Sequence, residues 1–275
     1  MTNNKVAILL SVYKKDRLQW LKISVDSILS QTYQPIVLYI GVDGVVDSSV
    51  SKYLEDIEKE ENIVVLRFEE NRGLAAVLNS LLEETIKDGY TFYARMDADD
   101  ISLPDRIQKQ MDYLNNNPDI DVVGGATSRI NSEGNLLNRI IVLPQKPEEC
   151  RKLFAYKNPL AHPAVLFRKS FFDKVGHFYR PEYRTNQDTL LWYDGLKNGA
   201  KIGNVKDVVL YFRVSDDLIS SRRGGKEKAQ KQLKDRLIIN KDLGYGLKAN
   251  LYAYGVYLYM IAPIWIKRRI YKLFR

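Results

Sequence analysis

One cysteine, Cys150, and two histidines, His162 and His177, are all the thiol and imidazole ligands that this 275-residue chain offers. A lone cysteine excludes an internal disulfide and any cysteine-based zinc cluster, and it fits a reducing compartment. Two isolated histidines read as loop or packing residues rather than as a metal pair. The chain has no GxGxxG fingerprint and no P-loop, so the usual glycine cradles for dinucleotides and ATP are missing. The N-terminus, Met1-Thr2-Asn3-Asn4-Lys5-Val6, enters a short apolar strand at once, without signal-peptide architecture, which points to a cytoplasmic chain. An uncharged stretch over residues 251–266 runs for sixteen residues and contains Pro263. A spanning helix needs about 20 apolar residues, so this one falls short.

Charge is abundant but unevenly spread. The whole chain carries 42 basic and 34 acidic side chains, a net of +8. Residues 222–275 hold 14 basic against 3 acidic residues, a local net of +11, while residues 1–221 carry a net of −3. The basicity belongs to the last segment, which suits contact with a polyanion. Tyrosines and Trp265 crowd the uncharged stretch, and Lys267-Arg268-Arg269 follows it. Amphipathic rings settle at the headgroup level and basic residues meet anionic lipid. The tail therefore reads as a peripheral attachment to an anionic membrane surface, on the cytoplasmic face. Packing of the tail on the rest of the chain is the plainer alternative. Nucleic acid is not expected as a partner, because no recognition motif accompanies the basic residues.

Strands and helices alternate along the first hundred residues. Val6-Ala7-Ile8-Leu9-Leu10-Ser11-Val12 is a continuous apolar run, as in a buried parallel strand. Leu18, Leu21, Val25, Ile28 and Leu29 follow at helical spacing. A second strand covers residues 36–42 and ends at Asp43-Gly44. A charged helix over 49–61, a third strand over 63–68, a turn at Asn71-Arg72-Gly73 and a helix over 74–87 come next. The alternation predicts an α/β fold with a mostly parallel sheet and right-handed crossovers. In such a sheet ligands bind beyond the carboxyl ends of the strands. Later segments predict strands over 119–124 and 208–213, a loop feeding an apolar strand over 158–168, and an amphipathic helix from residue 186.

The densest chemistry is Arg95-Met96-Asp97-Ala98-Asp99-Asp100, after the strand-like run 90–94. Three carboxylates in four positions repel one another and resist ionisation unless something positive joins them. They suit a hard divalent cation that bridges phosphate oxygens. The plain alternative is a solvated acidic loop capping the helix opened by Pro104 and Asp105, with Asp100 as a simple cap. A nucleotidyltransferase would also use paired carboxylates, but Ser11-Val12-Tyr13-Lys14-Lys15 lacks the glycines of a triphosphate loop. A non-enzymatic basic adaptor for membrane or nucleic acid explains the tail and leaves the acidic run idle.

Taken together, these motifs resemble the large inverting nucleotide-sugar glycosyltransferase family of GT-A fold. The resemblance is to its bacterial family-two branch, which builds capsule, O-antigen and exopolysaccharide. It is carried by Leu10-Ser11-Val12-Tyr13, Ser27-Ile28-Leu29-Ser30-Gln31-Thr32-Tyr33, Asn71-Arg72-Gly73-Leu74 with Asn79, and residues 94–102. It continues through His162-Pro163, Gln187-Asp188 and Arg222-Arg223-Gly224-Gly225. The resemblance implies one Rossmann-like GT-A domain over residues 1–215, with a nucleotide-binding half (1–100) and an acceptor-binding half (101–215). Residues 216–275 would be a helical, basic-aromatic extension. It implies an enzyme that moves a hexose (glucose, galactose or an N-acetylhexosamine) from a UDP-sugar to a polyprenyl-diphosphate-linked saccharide.

The resemblance also assigns site residues. Asp99 is the implied ligand of Mn²⁺ or Mg²⁺, and Asp97 contacts ribose or donor sugar beside Ala98. Asp43 accepts from the nucleobase, as uracil N3–H, and Ser11, Val12 and Tyr13 line the base pocket. Arg72 and Arg95 help to hold the nucleotide, as a planar guanidinium fork suits phosphate. Asp188 is the implied general base, with a helix N-cap as its plain alternative. His162, Gln187 and Trp192 lie on the acceptor side. Two departures stand out: Gly41-Val42-Asp43-Gly44 keeps one acid where relatives often carry two, and Gln187-Asp188 stands where Glu-Asp is usual.

Overall fold

The computed structural model describes residues 5–214, 225–263, 266, 267 and 269. Arg222, Arg223 and Gly224 of the resemblance, and Trp265, Arg268 and residues 270–275 of the basic tail, lie outside the described residues. The chain divides into two compact units, Met1–Arg151 with Asn158–Val214, and Lys152–Lys157 with Ser215–Arg275.

The first unit is built on one twisted sheet. Its parallel part comprises β1 (Val6–Tyr13), β2 (Ile36–Asp43), β3 (Ile63–Phe68) and β4 (Phe92–Asp97), in the spatial order β3-β2-β1-β4. Helices α1 (Leu18–Leu29), α2 (Ser48–Ile57) and α3 (Leu74–Lys87) cross between them. The reason lies in the sequence: β1 and β2 are buried over nearly their whole length, as strands covered on both faces must be. Gly41 lets α3 settle directly on β2, because a Cβ there would lie 2.3 Å from Val77 Cγ1.

Beyond β4 the sheet changes character. A two-residue strand β5 (Ile101–Ser102) leads to α4 (Arg106–Asn116), and the long β6 (Val122–Ile130) turns into a hairpin with β7 (Leu136–Ile141). Helix α5 (Pro147–Phe154), a 3₁₀ turn at His162–Ala164, β8 (Leu166–Arg168), α6 (Lys169–Val175), α7 (Gln187–Lys197) and β9 (Ile202–Arg213) follow. β8 lies antiparallel between β4 and β6, and β9 pairs parallel with β6 and antiparallel with β5. This is a mixed α/β architecture with the parallel half that the strand–helix alternation predicts.

Three expectations are corrected here. The strand before the acidic run extends through Asp97, so the first carboxylate belongs to β4 rather than to a loop. Helix α7 is not amphipathic, since every residue from Thr189 to Leu196 is buried. Asp100 does not cap α4, whose N-cap position is Asp105; it is 1% exposed and accepts the Arg213 backbone N–H at 2.8 Å.

The second unit contains α8 (Lys226–Asp242) and α9 (Leu247–Ile261), joined by a turn with Gly244 at φ +74°. Asn240, fully buried, donates to Asn250 Oδ1 at 2.9 Å, and Arg236 donates to the Phe154 carbonyl at 2.7 Å. Helix α9 leaves Leu247, Leu251, Tyr252, Tyr254, Val256, Leu258, Tyr259 and Ile261 exposed. Among the described residues no helix is long and apolar enough to cross a membrane.

Candidate active site

Strand register assembles the site. Ser11 on β1 lies opposite Gly41 on one side and Asp97 on the other, and Tyr13 lies opposite Asp43. The polar residues predicted at the strand ends therefore meet on one sheet edge. Ser11 is half-buried, Val12 is buried and Tyr13 is 40% exposed.

Asp97, Asp99 and Asp100 bring one carboxylate oxygen each within 4.8 Å of one another. The sequence places Asp97 at the last position of β4, and the turn after it folds the other two acids back beside it. Ser24 of α1 donates to the Asp97 carbonyl at 3.0 Å, which ties the first helix to this turn. Arg213, at the end of β9, braces the turn through Nε on the Asp99 carbonyl at 2.7 Å and Nη1 on the Asn131 and Ser132 carbonyls. Ala98 is buried, so it can offer a ligand little beyond backbone.

Electrostatics make this cluster unstable when it is fully ionised. Burial, then the charge of Asp97, raises Asp99 to about 6. Burial, with Asp97 and Asp99 beside it, raises Asp100 well above the usual carboxylate range. Asp16 joins the same field: burial raises it to about 7, with Asp99 and Asp97 adding to the effect. Its carboxylate also accepts the Tyr13 backbone N–H at 2.8 Å. A cation fits this donor set. Asp100 Oδ2 is buried without a hydrogen-bond partner among the described residues, and all three groups are hard oxygen ligands.

Several predicted residues serve differently from expectation. Asp43 is 4% exposed, and its carboxylate already accepts from Asn71 Nδ2 (2.7 Å), Arg72 N (2.6 Å) and Gly73 N (3.0 Å). With most of its lone pairs engaged, Asp43 holds the 71–73 turn in place rather than standing open to a base. Gly44, at φ +79°, makes the approach possible, since a Cβ there would lie 2.8 Å from Asn71 N. Arg72 is exposed, with its guanidinium 4.7 Å over the Phe68 ring. Arg95 is 2% exposed and pairs with Asp97, so it lies behind the acids rather than open to a nucleotide. Trp192 is fully buried and stacks on Phe167 at 5.8 Å, which removes it from any acceptor contact. The uniformly buried face of α7 explains why.

On the other side of Arg95 lies a second group of polar residues. His162 Nε2 shares a hydrogen bond of 2.8 Å with Tyr179 Oη. Burial, then Arg95, holds His162 well below the usual imidazole range, so it stays neutral at pH 7. Asn79 of α3 clamps the Tyr179 backbone with both ends of its amide, each at 2.9 Å. Asp188, in the first turn of α7, accepts from Asn158 Nδ2 at 2.9 Å. Burial raises Asp188, against the lowering effect of its hydrogen bonds to Thr189 and Asn158 and of its own backbone N–H. Gln187 opens the helix beside it and is half-buried.

Sequence reasoning missed Asp16, Asn158, Tyr179 and Arg213. The one local signal was for Asp16, three residues beyond Tyr13 at the end of β1. The others are brought in by chain segments distant in sequence.

Comparison with known proteins places the chain in a family. The signature described as "Glycosyl transferase family 2" matches residues 7–176. The chain is 27% identical over 267 residues to the amylovoran biosynthesis glycosyltransferase AmsE of Erwinia amylovora, covering 97% of each chain. It is 29% identical over 230 residues to an Escherichia coli UDP-Gal:alpha-D-GlcNAc-diphosphoundecaprenol beta-1,3-galactosyltransferase, covering 84% of this chain and 81% of the other. Among solved structures, S. aureus TarS 1-349 in complex with UDP-GlcNAc superposes with a TM-score of 0.63 at 12% identity, covering 94% of this chain and 82% of that one.

The raised carboxyls predict a pH-dependent cost to folding. Asp99, at about 6 in the fold against 3.8 ordinarily, holds a proton that the unfolded chain releases. Its favourable contribution is therefore complete below pH 3.8 and is lost as pH rises through 6. In cation-free buffer at pH 7.5, Asp99→Asn should melt above wild type by a few degrees, with the gap closing towards pH 5. Adding Mn²⁺ should raise the melting temperature of wild type only. Equal Mn²⁺ shifts in both proteins would contradict the cluster as the cation site.

Proposed function

The chain belongs to glycosyl transferase family 2, and from that premise we propose that it moves a hexose from a UDP-sugar to a saccharide carried on a lipid diphosphate, in the assembly of a surface polysaccharide. The observation that carries this reading is the pairing of two separate acidic sites in one unit: the Asp97-Asp99-Asp100 cluster and the half-buried Asp188. Support for a lipid-linked acceptor comes from the E. coli relative, whose name specifies a diphosphoundecaprenol-linked GlcNAc.

In this reading the nucleotide lies along the ends of β1 and β2, against Ser11, Val12 and Tyr13, over the turn that Asp43 holds. Asp99, with Asp97 and Asp100 beside it, would hold Mn²⁺ or Mg²⁺. A bound cation supplies Lewis acidity towards the diphosphate leaving group. Arg95 pairs with Asp97 and orients it from behind. The acceptor hydroxyl attacks the anomeric carbon on the face opposite the diphosphate. The carbon–oxygen bond to the diphosphate breaks, and the hydroxyl proton passes to the Asp188 carboxylate. A single displacement of this kind inverts the anomeric centre without a sugar–enzyme intermediate. His162 and Gln187 sit on the acceptor side.

Helix α9 and the basic residues that follow it would hold the enzyme at an anionic bilayer, where such an acceptor resides. Its exposed leucines and tyrosines suit the interface, and each basic residue near the surface contributes about 1 kcal/mol.

Two experiments test this reading. Purified protein, incubated with a panel of UDP-sugars and Mn²⁺, should release UDP from one donor preferentially, and EDTA should stop the release. Asp188→Asn should lower turnover at least 100-fold, within the ~10²–10⁴ range of general base catalysis, while UDP affinity stays within about twofold. Loss of both together would point to a structural role for Asp188. Separately, flotation with anionic vesicles should recover the full chain but little of a chain truncated after Gly246; equal flotation of the two would refute attachment through the tail.

A further inference from the structure

The Asp188 carboxylate is not held by its own helix alone. Asn158 reaches it from the loop after α5, thirty residues earlier in the chain, with Nδ2 donating to Asp188 Oδ2 at 2.9 Å. The Asn158 amide is itself locked, because the Thr189 hydroxyl donates to Asn158 Oδ1 at 3.0 Å. An amide whose oxygen is taken by a hydroxyl donor must turn its NH₂ towards the carboxylate. Thr189 thereby fixes which end of Asn158 Asp188 meets.

The loop carrying Asn158 is anchored as firmly. Asn204 of β9, fully buried, donates through Nδ2 to the Pro159 carbonyl at 3.0 Å and to the Pro144 carbonyl at 2.7 Å. Gly124 of β6 makes room for this, since a Cβ there would lie 2.3 Å from Asn204 Oδ1. Leu160, 3% exposed, fills the space beneath. A half-buried surface asparagine would ordinarily be free to rotate; this one is fixed by the backbone on one side and by Thr189 on the other.

From this geometry we infer that Asn158, oriented by Thr189, is the positioning residue of the general base, fixing the plane of the Asp188 carboxylate. The inference rests on the reading of Asp188 as that base. A donor to a carboxylate stabilises its charged form, so Asn158 also opposes the effect of burial on Asp188. The titratable groups facing this corner are Tyr179, in the loop between α6 and α7, with Arg95 of β4 and His162 of the 3₁₀ turn behind it. Tyr179 is raised by burial and remains neutral in the working range, and His162 is held neutral. Neither changes charge between pH 6 and 8, and the other charge that reaches Tyr179 is the Asp97 carboxylate, on the far side of Arg95.

The test reads the carboxylate directly. Selective ¹³Cγ labelling of aspartate, with the Asp188→Asn spectrum to assign the signal, follows the Asp188 midpoint by NMR without any turnover. Asn158→Ala should raise the midpoint by about one pH unit, the scale of a lost hydrogen bond to a charged group. Thr189→Val, which removes the hold on Asn158 together with the hydrogen bond of the Thr189 side chain to Asp188, should move it in the same direction, and Thr189→Ser, which keeps the hydroxyl, should leave it at the wild-type value. In UDP-release assays the acidic limb of kcat should shift upward in parallel, with UDP affinity unchanged. An unmoved midpoint in Asn158→Ala overturns the inference. Should that variant not fold, an unmoved midpoint in Thr189→Val does so. If the midpoint moves as expected but wild type releases no UDP from any donor, the transferase reading fails and the orientation of Asp188 by Asn158 stands.

Discussion

Mutual repulsion among carboxylates at the end of β4 is the constraint around which the rest of the site is arranged. Asp97, Asp99 and Asp100 cannot all ionise at such close quarters without positive charge nearby. The fold answers with three buried guanidiniums. Arg95 pairs with Asp97, Arg213 braces the turn from β9, and Arg106 lies beneath it, 1% exposed. Arg106 donates to the Arg95 carbonyl at 2.7 Å and to Gln110, and burial pushes it down to about 9, still charged at neutral pH. Each of these cations would be costly alone, and each is tolerated because the acids and carbonyls of this turn surround it. The guanidiniums leave the acids under-compensated, since Asp99 and Asp100 remain raised. That residual strain is what a divalent cation would relieve.

The same turn joins two halves of the chemistry. Towards β1 and β2 it faces the 71–73 turn, which Asp43 holds by three donors. Towards α7 it faces Arg95, then the His162–Tyr179 pair, then Asp188. Asn79 of α3 grips Tyr179 a hundred residues away, so a helix of the parallel half steadies the loop that precedes Asp188. In the proposed transfer, leaving-group stabilisation would fall to the acid cluster and proton removal to Asp188, two separate points of this arrangement.

Much of the parallel half was legible because its signals are local. β1, β2, β3 and α3 follow from unbroken apolar runs, helical spacing and the glycines after them, and their observed bounds lie within one or two residues of those read from sequence. Register then explains why Ser11, Asp43 and Asp97 converge. The remainder depended on contacts that sequence spacing does not carry. The resemblance places Trp192 on the acceptor side, because an aromatic near a helix start looks the same whether the helix is half-exposed or, as here, buried all round. Asp100 looked like a cap because its partner, the Arg213 backbone, lies over a hundred residues away. Asn158 gave no signal at all, since an asparagine before proline is ordinary loop chemistry until Asp188 and Thr189 are placed beside it.

The central claim is that the strained acid cluster and a nucleotide diphosphate complete one another through a shared cation. Calorimetric titration of UDP into the protein at pH 7.5, with and without Mn²⁺, tests it most directly. Linkage requires that each ligand tighten the other by the same factor. The account predicts strong UDP binding only when Mn²⁺ is present, an equal gain in Mn²⁺ affinity when UDP is present, and loss of both gains in Asp99→Ala. UDP binding of the same strength with and without Mn²⁺, unchanged in Asp99→Ala, would contradict it.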